Sequence, residues 1–137
     1  MKKCFKRCNI CPYVKETKEI KHNSVTWKLN KTLNCENSNI VYMIQCKKQN
    51  CKEIYIGETE RRFKDRIADH LGYIKNKKLE LPTGEHFNKN GHSLSDLKAI
   101  ILEKVTSSDQ LYRKERERYL IRKFNSYYKG MNKSPGI

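Results

Sequence analysis

Ile40-Val41-Tyr42-Met43-Ile44, then Glu53-Ile54-Tyr55-Ile56-Gly57, then Phe63-Lys64-Asp65-Arg66-Ile67-Ala68-Asp69-His70-Leu71, is the stretch that decides the fold. The first two runs are rich in β-branched and aromatic residues, and each carries a tyrosine. Lys47-Lys48-Gln49-Asn50 between them is turn-forming, so the pair reads as an antiparallel hairpin with a long loop. Gly57 is expected to break the second strand, and Thr59 to cap the helix that follows. Phe63, Ile67, Leu71 and Ile74 recur at helical spacing and form one apolar stripe. Arg62, Arg66, Asp69 and His70 fall on a different face, and the four-residue step from Arg66 to His70 puts both on one side.

Further along, Leu81-Pro82-Thr83-Gly84 reads as a loop, and the segment from Glu85 to His92 as turn-rich. Leu97 to Val105 is a third strand, centred on Ile100, Ile101 and Leu102. Ser107 and Gln110 fit a capping box, which opens a charge-dense helix running to about Phe124. Gly130-Met131-Asn132 lies in the tail. Towards the start, Ser24 to Leu29 is a short strand, and the turn-rich Asn37-Ser38-Asn39 marks a boundary. Residues 1–36 form a Cys-rich basic segment, and 37–137 the main domain, an α+β unit with a small three-stranded antiparallel sheet flanked by helices.

Composition limits what such a chain does. It has 137 residues, enough for one cored domain with a small appended module. Its net charge is +15, thirty Lys and Arg against fifteen Asp and Glu, which favours a polyanionic partner, nucleic acid above all. A membrane span needs about twenty apolar residues in a row, and none exists. Met1-Lys2-Lys3-Cys4-Phe5-Lys6-Arg7 is basic with no apolar core after it, so it is not read as a secretory signal. The six cysteines are then expected in a reducing compartment, as metal ligands or buried apolar groups rather than disulfides.

The tyrosine pair with its following Arg66 and His70 resembles the core of the GIY-YIG endonucleases, which hydrolyse DNA phosphodiesters. The resemblance covers roughly residues 35–132. Two cysteines between the tyrosine motifs make it more similar to the domain of Penelope-like retroelement proteins than to other branches. The family fold is the α+β arrangement above. By the resemblance, Tyr42 stands near the attacking water, Tyr55 and His70 shape the same site, and Arg66 holds the scissile phosphate. Gly57 is the motif glycine that permits close backbone approach, and Asn132 supports the site. A glutamate on the last helix binds a divalent metal, Mg or Mn. Glu115 and Glu117 are both placed for that; Arg116-Glu117 followed by Leu120-Ile121 fits the family pattern, so Glu117 is chosen. The chain departs from the pattern at Ile40, where the family has its first glycine.

Cys46 and Cys51 flank one turn, and His86 and His92 flank another. Two cysteines and two histidines suit a tetrahedral structural zinc, and the Penelope-like branch carries such a set. Cys8-x-x-Cys11 with Cys4 and Cys35 makes a second candidate zinc site, with His22 as an alternative ligand. The function implied is a metal-dependent endonuclease that nicks DNA for a retroelement. Its expected partners are DNA and a reverse transcriptase of the same element, with no membrane, and its place is nuclear or otherwise intracellular. The alternative is an inactive, zinc-stabilised nucleic-acid-binding module, which needs only the charge and the zinc ligands.

Overall fold

The computed structural model describes residues 1–107 and 109–134. The elements run β1 (Glu19–His22), β2 (Val25–Lys28), β3 (Ile40–Cys46), β4 (Ile54–Thr59), α1 (Phe63–Lys75), α2 (Pro82–His86), β5 (Leu97–Lys104) and α3 (Gln110–Phe124). The main sheet is antiparallel in the order β4-β3-β5, so β3 is central. That position explains its composition: Ile40, Val41, Tyr42, Met43 and Ile44 are all fully buried. Tyr42 pairs with Gly57 on one side and Ile101 on the other. The β3–β5 register shifts between Val41 and Tyr42, leaving Leu102 without a partner. Trp27 Nε1 donates to the Leu102 carbonyl at 2.9 Å, which locks β2 onto the bulge.

The expected hairpin, third strand and apolar helix stripe are all present, and Phe63, Ile67, Leu71 and Ile74 are buried. Several local expectations are corrected. Gly57 does not break its strand; β4 continues through it to Thr59. Thr59 is not the cap of α1. Its hydroxyl accepts the Arg61 N–H at 3.1 Å, while α1 starts at Phe63 behind Arg62 with no side-chain cap. The orphan N–H groups of Phe63 and Lys64 donate instead to the carbonyls of Asn37 (2.8 Å) and Cys35 (3.0 Å), partners far off in sequence.

The 81–84 loop is instead the start of α2, with Pro82 in its first turn, where a missing N–H costs nothing. Helix α3 is capped by Asp109, which accepts from Leu111 N–H at 2.9 Å, and not by a Ser107–Gln110 box. Strand β1 had no prediction. It pairs with β2 across Asn23 and Ser24, both left-handed, as a tight hairpin.

Residues of the Cys-rich segment share the core: Cys4, Ile10, Cys11, Val14, Ile20, Leu29, Leu33 and Cys35 pack in one cluster with the sheet. Val14 bridges to Ala99 of β5. At the other edge, Met131 N–H donates to Ile54 C=O. Asn132 pairs its side-chain amide with both backbone groups of Ile56, at 2.9 and 2.8 Å. The tail thereby covers the free edge of β4. Among the described residues, no helix is long and apolar enough to cross a membrane.

Candidate active site and metal-ligand clusters

Central strand β3 delivers Tyr42, and α1 lays two side chains over its hydroxyl. The Tyr42 oxygen lies 2.7 Å from His70 Nε2, and Arg66 Nε–H donates to it at 3.0 Å. Arg66 also donates from a terminal nitrogen to the Tyr73 hydroxyl at 3.1 Å. Tyr55 packs edge-on against His70, with ring centroids 5.4 Å apart. Gly57 makes room for this cluster. A Cβ there would stand 2.5 Å from the Tyr42 hydroxyl, closer than side chains tolerate, and 3.0 Å from the Tyr55 ring.

Burial sets the charges. It drives the Tyr42 phenol well above its ordinary range, and burial likewise raises Tyr55. Burial, with Arg66 nearby, pushes His70 down to about 3, so its imidazole is neutral. A neutral imidazole donates at one ring nitrogen and accepts at the other, and the Tyr42 oxygen faces Nε2. On its other side, His70 Nδ1 lies 2.7 Å from Thr83 Oγ1. Burial works against the charge on Arg66, but Tyr42, Tyr73 and Tyr55 outweigh it and keep the group protonated.

Glu117 comes to the same region from α3, which packs along β4 and β3. Burial, then the charge of Glu58, push its carboxyl up to about 7; Lys114, the Glu58 N–H and Arg66 pull the other way. No ion pair holds Glu117 among the described residues. Glu115 is exposed. Tyr42, Tyr55, Gly57, Arg66, His70 and Glu117 are therefore brought together. Asn132 is not among them; it braces β4 from the edge at Ile56, next to Gly57.

Four participants escaped the sequence reading, Tyr73 beside Arg66 among them. Thr83 is fully buried under His70. Glu58 and Arg113 form a pair at 2.8 Å, with Arg113 also donating to Asn39 Oδ1 at 2.8 Å. The motif offered a hint only for Glu58, which follows Gly57 directly.

Both proposed ligand sets assemble. In each of Cys4, Cys8, Cys11, Cys35 and Cys46, Cys51, His86, His92, the donor atoms lie within 4.8 Å of one another. In the first set Cys11 Sγ lies 3.3, 3.7 and 3.7 Å from the sulfurs of Cys4, Cys8 and Cys35. A tetrahedral zinc with bonds of about 2.3 Å spaces its sulfurs by about 3.8 Å. Cys35 is the fourth member; His22 instead packs against the Phe124 ring. In the second set Cys51 Sγ lies 3.6 Å from His86 Nε2. His86 Nδ1 and both ring nitrogens of His92 are buried without a hydrogen-bond partner among the described residues. Burial raises Cys35 and pushes Cys46 up to about 12, so neither thiol ionises there without a cation. The residues present fit zinc at both places.

Taken together, a β4-β3-β5 sheet with α1 and α3 converging on a buried Tyr–His–Arg cluster is the design of a small α+β catalytic domain. A model of the GIY-YIG catalytic domain matches residues 38–132. The chain belongs to the GIY-YIG family. Its fold is similar to that of a solved structure, a mutant of the catalytic domain of intron endonuclease I-TevI, with a TM-score of 0.58 and 22% identity over 71% of this chain and 94% of that one. No curated protein matches the chain.

Proposed function

We propose that the protein is a metal-dependent DNA endonuclease that nicks one strand, of the kind that opens target DNA for a Penelope-like retroelement. The observation that carries this reading is the buried contact of Tyr42 with His70 and Arg66, with Glu117 on the same site and in no ion pair among the described residues. These groups are costly to bury together, and a fold that only binds DNA does not require them. The placement of Cys46 and Cys51 between the tyrosines, gathered with His86 and His92, supports the retroelement branch.

Glu117, beside Glu58 and without an ion pair among the described residues, fits a divalent cation and is the residue to hold magnesium or manganese. When bound, that ion polarises a phosphoryl oxygen and eases the charge that develops on it. The remaining work belongs to the side chains. Neutral His70 presents Nε2 as acceptor for the Tyr42 proton, so that Tyr42 can take one in turn from an attacking water. Arg66 stays charged and is only partly exposed, so it can pass from the tyrosine oxygens to a scissile phosphate. Gly57 lets the Tyr42 hydroxyl lie against the β4 backbone, Tyr55 walls the site, and Asn132 is a positioning residue through β4.

Zinc at the two ligand sets is structural in this reading. Residues 1–36 form a Cys-rich module laid on the catalytic domain of residues 37–137. DNA is the substrate, a reverse transcriptase of the same element is the partner, and the nucleus is the site of action.

The test is nicking of supercoiled plasmid by zinc-loaded protein, with and without magnesium, beside Glu117→Ala. Magnesium-dependent conversion to open circles is expected, falling about 10³-fold in the variant while DNA binding is kept. Protein that binds the plasmid but never cuts, with manganese also tried, makes the alternative binding module the better reading.

A further inference from the structure

His70 is the hinge of the site, yet the group that sets its proton lies outside every motif. Thr83 has no exposed surface, and its hydroxyl is 2.7 Å from His70 Nδ1. It sits on α2, a helix too short to hold itself in place. Three features fix it. Asn88 Nδ2 donates to Ile74 C=O at 3.0 Å and to Gly84 C=O at 2.7 Å, joining the end of α2 to the last turn of α1. Gly84 lies so close to the Lys78 carbonyl that no Cβ fits between them. His86, one turn beyond Thr83, belongs to the Cys46–Cys51–His86–His92 set.

We propose that Thr83 is a positioning residue whose hydroxyl accepts Nδ1–H of His70 and so leaves Nε2 free to accept the Tyr42 proton. This rests on the nuclease reading for its catalytic meaning but not for its structural content. With the other tautomer, Nε2–H would donate to the Tyr42 oxygen, and the Tyr42 hydroxyl proton would have no acceptor among the described residues.

The experiment reads the His70 ring nitrogens by 15N NMR in zinc-loaded protein without DNA or magnesium, for the native chain, Thr83→Val and Thr83→Ser. The native chain and Thr83→Ser should show a single Nδ1–H form, and Thr83→Val a mixture or the Nε2–H form. Plasmid nicking in parallel should show kcat about 10²-fold lower in Thr83→Val with KM unchanged, and restored within a few-fold in Thr83→Ser. Thr83→Ala serves where Thr83→Val fails to fold. A Nδ1–H form that survives loss of the hydroxyl overturns the proposal. A native chain that shows the tautomer but never cuts leaves Thr83 its structural role and removes the nuclease reading alone.

A different observation carries a second inference. At the Cys46 end of the sheet a cleft of about 740 Å³ opens beneath the β1–β2 turn. It is lined by Lys15, Lys21, Lys47, Lys52 and Lys98, with His22 and a single carboxylate, Glu53. Lys15, Lys47, Lys52 and Lys98 make no ion pair among the described residues. Burial, then Lys47 and Lys3, lower the Lys98 ammonium, a sign of uncompensated positive charge. The lysines near the catalytic groups, by contrast, face Glu36 and Glu58.

The geometry points to this cleft as a binding site for the phosphate backbone of DNA, separate from the catalytic cluster. Binding of a labelled duplex is measured without magnesium across a salt series, for Lys15→Gln/Lys21→Gln/Lys52→Gln and for a control triple, Lys31→Gln/Lys78→Gln/Lys129→Gln. The cleft triple should lower the salt slope by about 2 to 3 and the affinity more than tenfold, and the control triple by much less. Equal losses in both triples overturn the site. The readout is binding, so a chain that binds but does not cut decides it just as well.

Discussion

The two ligand clusters are alike in chemistry and differ in what they grip. The four-cysteine set holds residues 4–35 together, and its last member, Cys35, offers its carbonyl to Lys64 N–H while Asn37 offers its own to Phe63. It thereby caps the start of α1 by backbone. The Cys46–Cys51–His86–His92 set joins the β3–β4 loop to α2, and α2 reaches His70 through the Thr83 side chain. Helix α1 is held at both ends, but only the second hold touches a proton. A backbone carbonyl cap tolerates a shift of a few tenths of an ångström. A tautomer-setting hydrogen bond at 2.7 Å inside a buried site does not.

The largest expected effect tests that asymmetry. In protein loaded with zinc at both sets, Cys46→Ser should release one of the two ions and lower cutting by about 10³-fold, with the His70 tautomer lost. Cys8→Ser should also release one zinc and lower the melting temperature, yet keep cutting within about tenfold at a temperature where it is folded. Metal content, thermal melting and plasmid nicking on both variants give the answer. Equal loss of cutting in the two folded variants breaks the comparison.

Next in size is the cost of keeping His70 neutral. Its ordinary value is 6.5 and the folded one about 3. Between these, the unfolded chain binds a proton that the folded one refuses, so stability is intact above 6.5 and falls as the pH drops towards 3. The slope is about 1.4 kcal/mol per pH unit for one proton. Acid also releases zinc, so the test is the difference between the native chain and His70→Gln in urea unfolding from about pH 7 to 5. The variant should show the shallower decline by about one proton's slope. Identical slopes would mean that His70 titrates in the fold as it does in the unfolded chain, so that burial does not hold it neutral.

How much of this was legible follows from sequence distance. Tyr42, Tyr55, Gly57, Arg66 and His70 lie in a short stretch of strand, strand and helix, where spacing places the elements and the resemblance to the GIY-YIG motif picks out the residues. Two of the mistakes occur where a partner is remote. Thr59 looked like a cap because caps are usually local, and here the carbonyls come from Cys35 and Asn37. Gly57 looked like a breaker because a strand glycine usually is one, and here its missing Cβ is the space the Tyr42 hydroxyl fills. Strand β1 offers one buried residue, Ile20, too little for a pattern. Thr83 sits in a segment with no periodicity, and only the α1–α2 packing reveals it.

A glycine substitution at the site sharpens the comparison at a smaller scale. Gly57→Ala pushes a Cβ into the Tyr42 hydroxyl at 2.5 Å, against a rigid ring rather than a flexible chain end. The expected cost is about 1–3 kcal/mol of stability. Cutting should fall more than stability explains, because the hydroxyl must leave His70 and Arg66. Denaturant unfolding and nicking at a fully folded temperature separate the two.

Gly72 gives the smallest effect and the cleanest reading of α1 itself. It lies inside the helix that both clusters grip, two residues past His70, and nothing comes within 4 Å of the Cβ it lacks. Glycine there costs the helix backbone entropy with no packing in return, so Gly72→Ala should raise stability by about 0.5–1 kcal/mol. If α1 works as a rigid bar held at both ends, stiffening it leaves cutting unchanged. If α1 must flex for Arg66 to pass from the tyrosines to a phosphate, kcat falls while stability rises. Denaturant midpoint and nicking rate on this one variant would then show that motion of α1, and not only its placement by the two clusters, belongs to the mechanism.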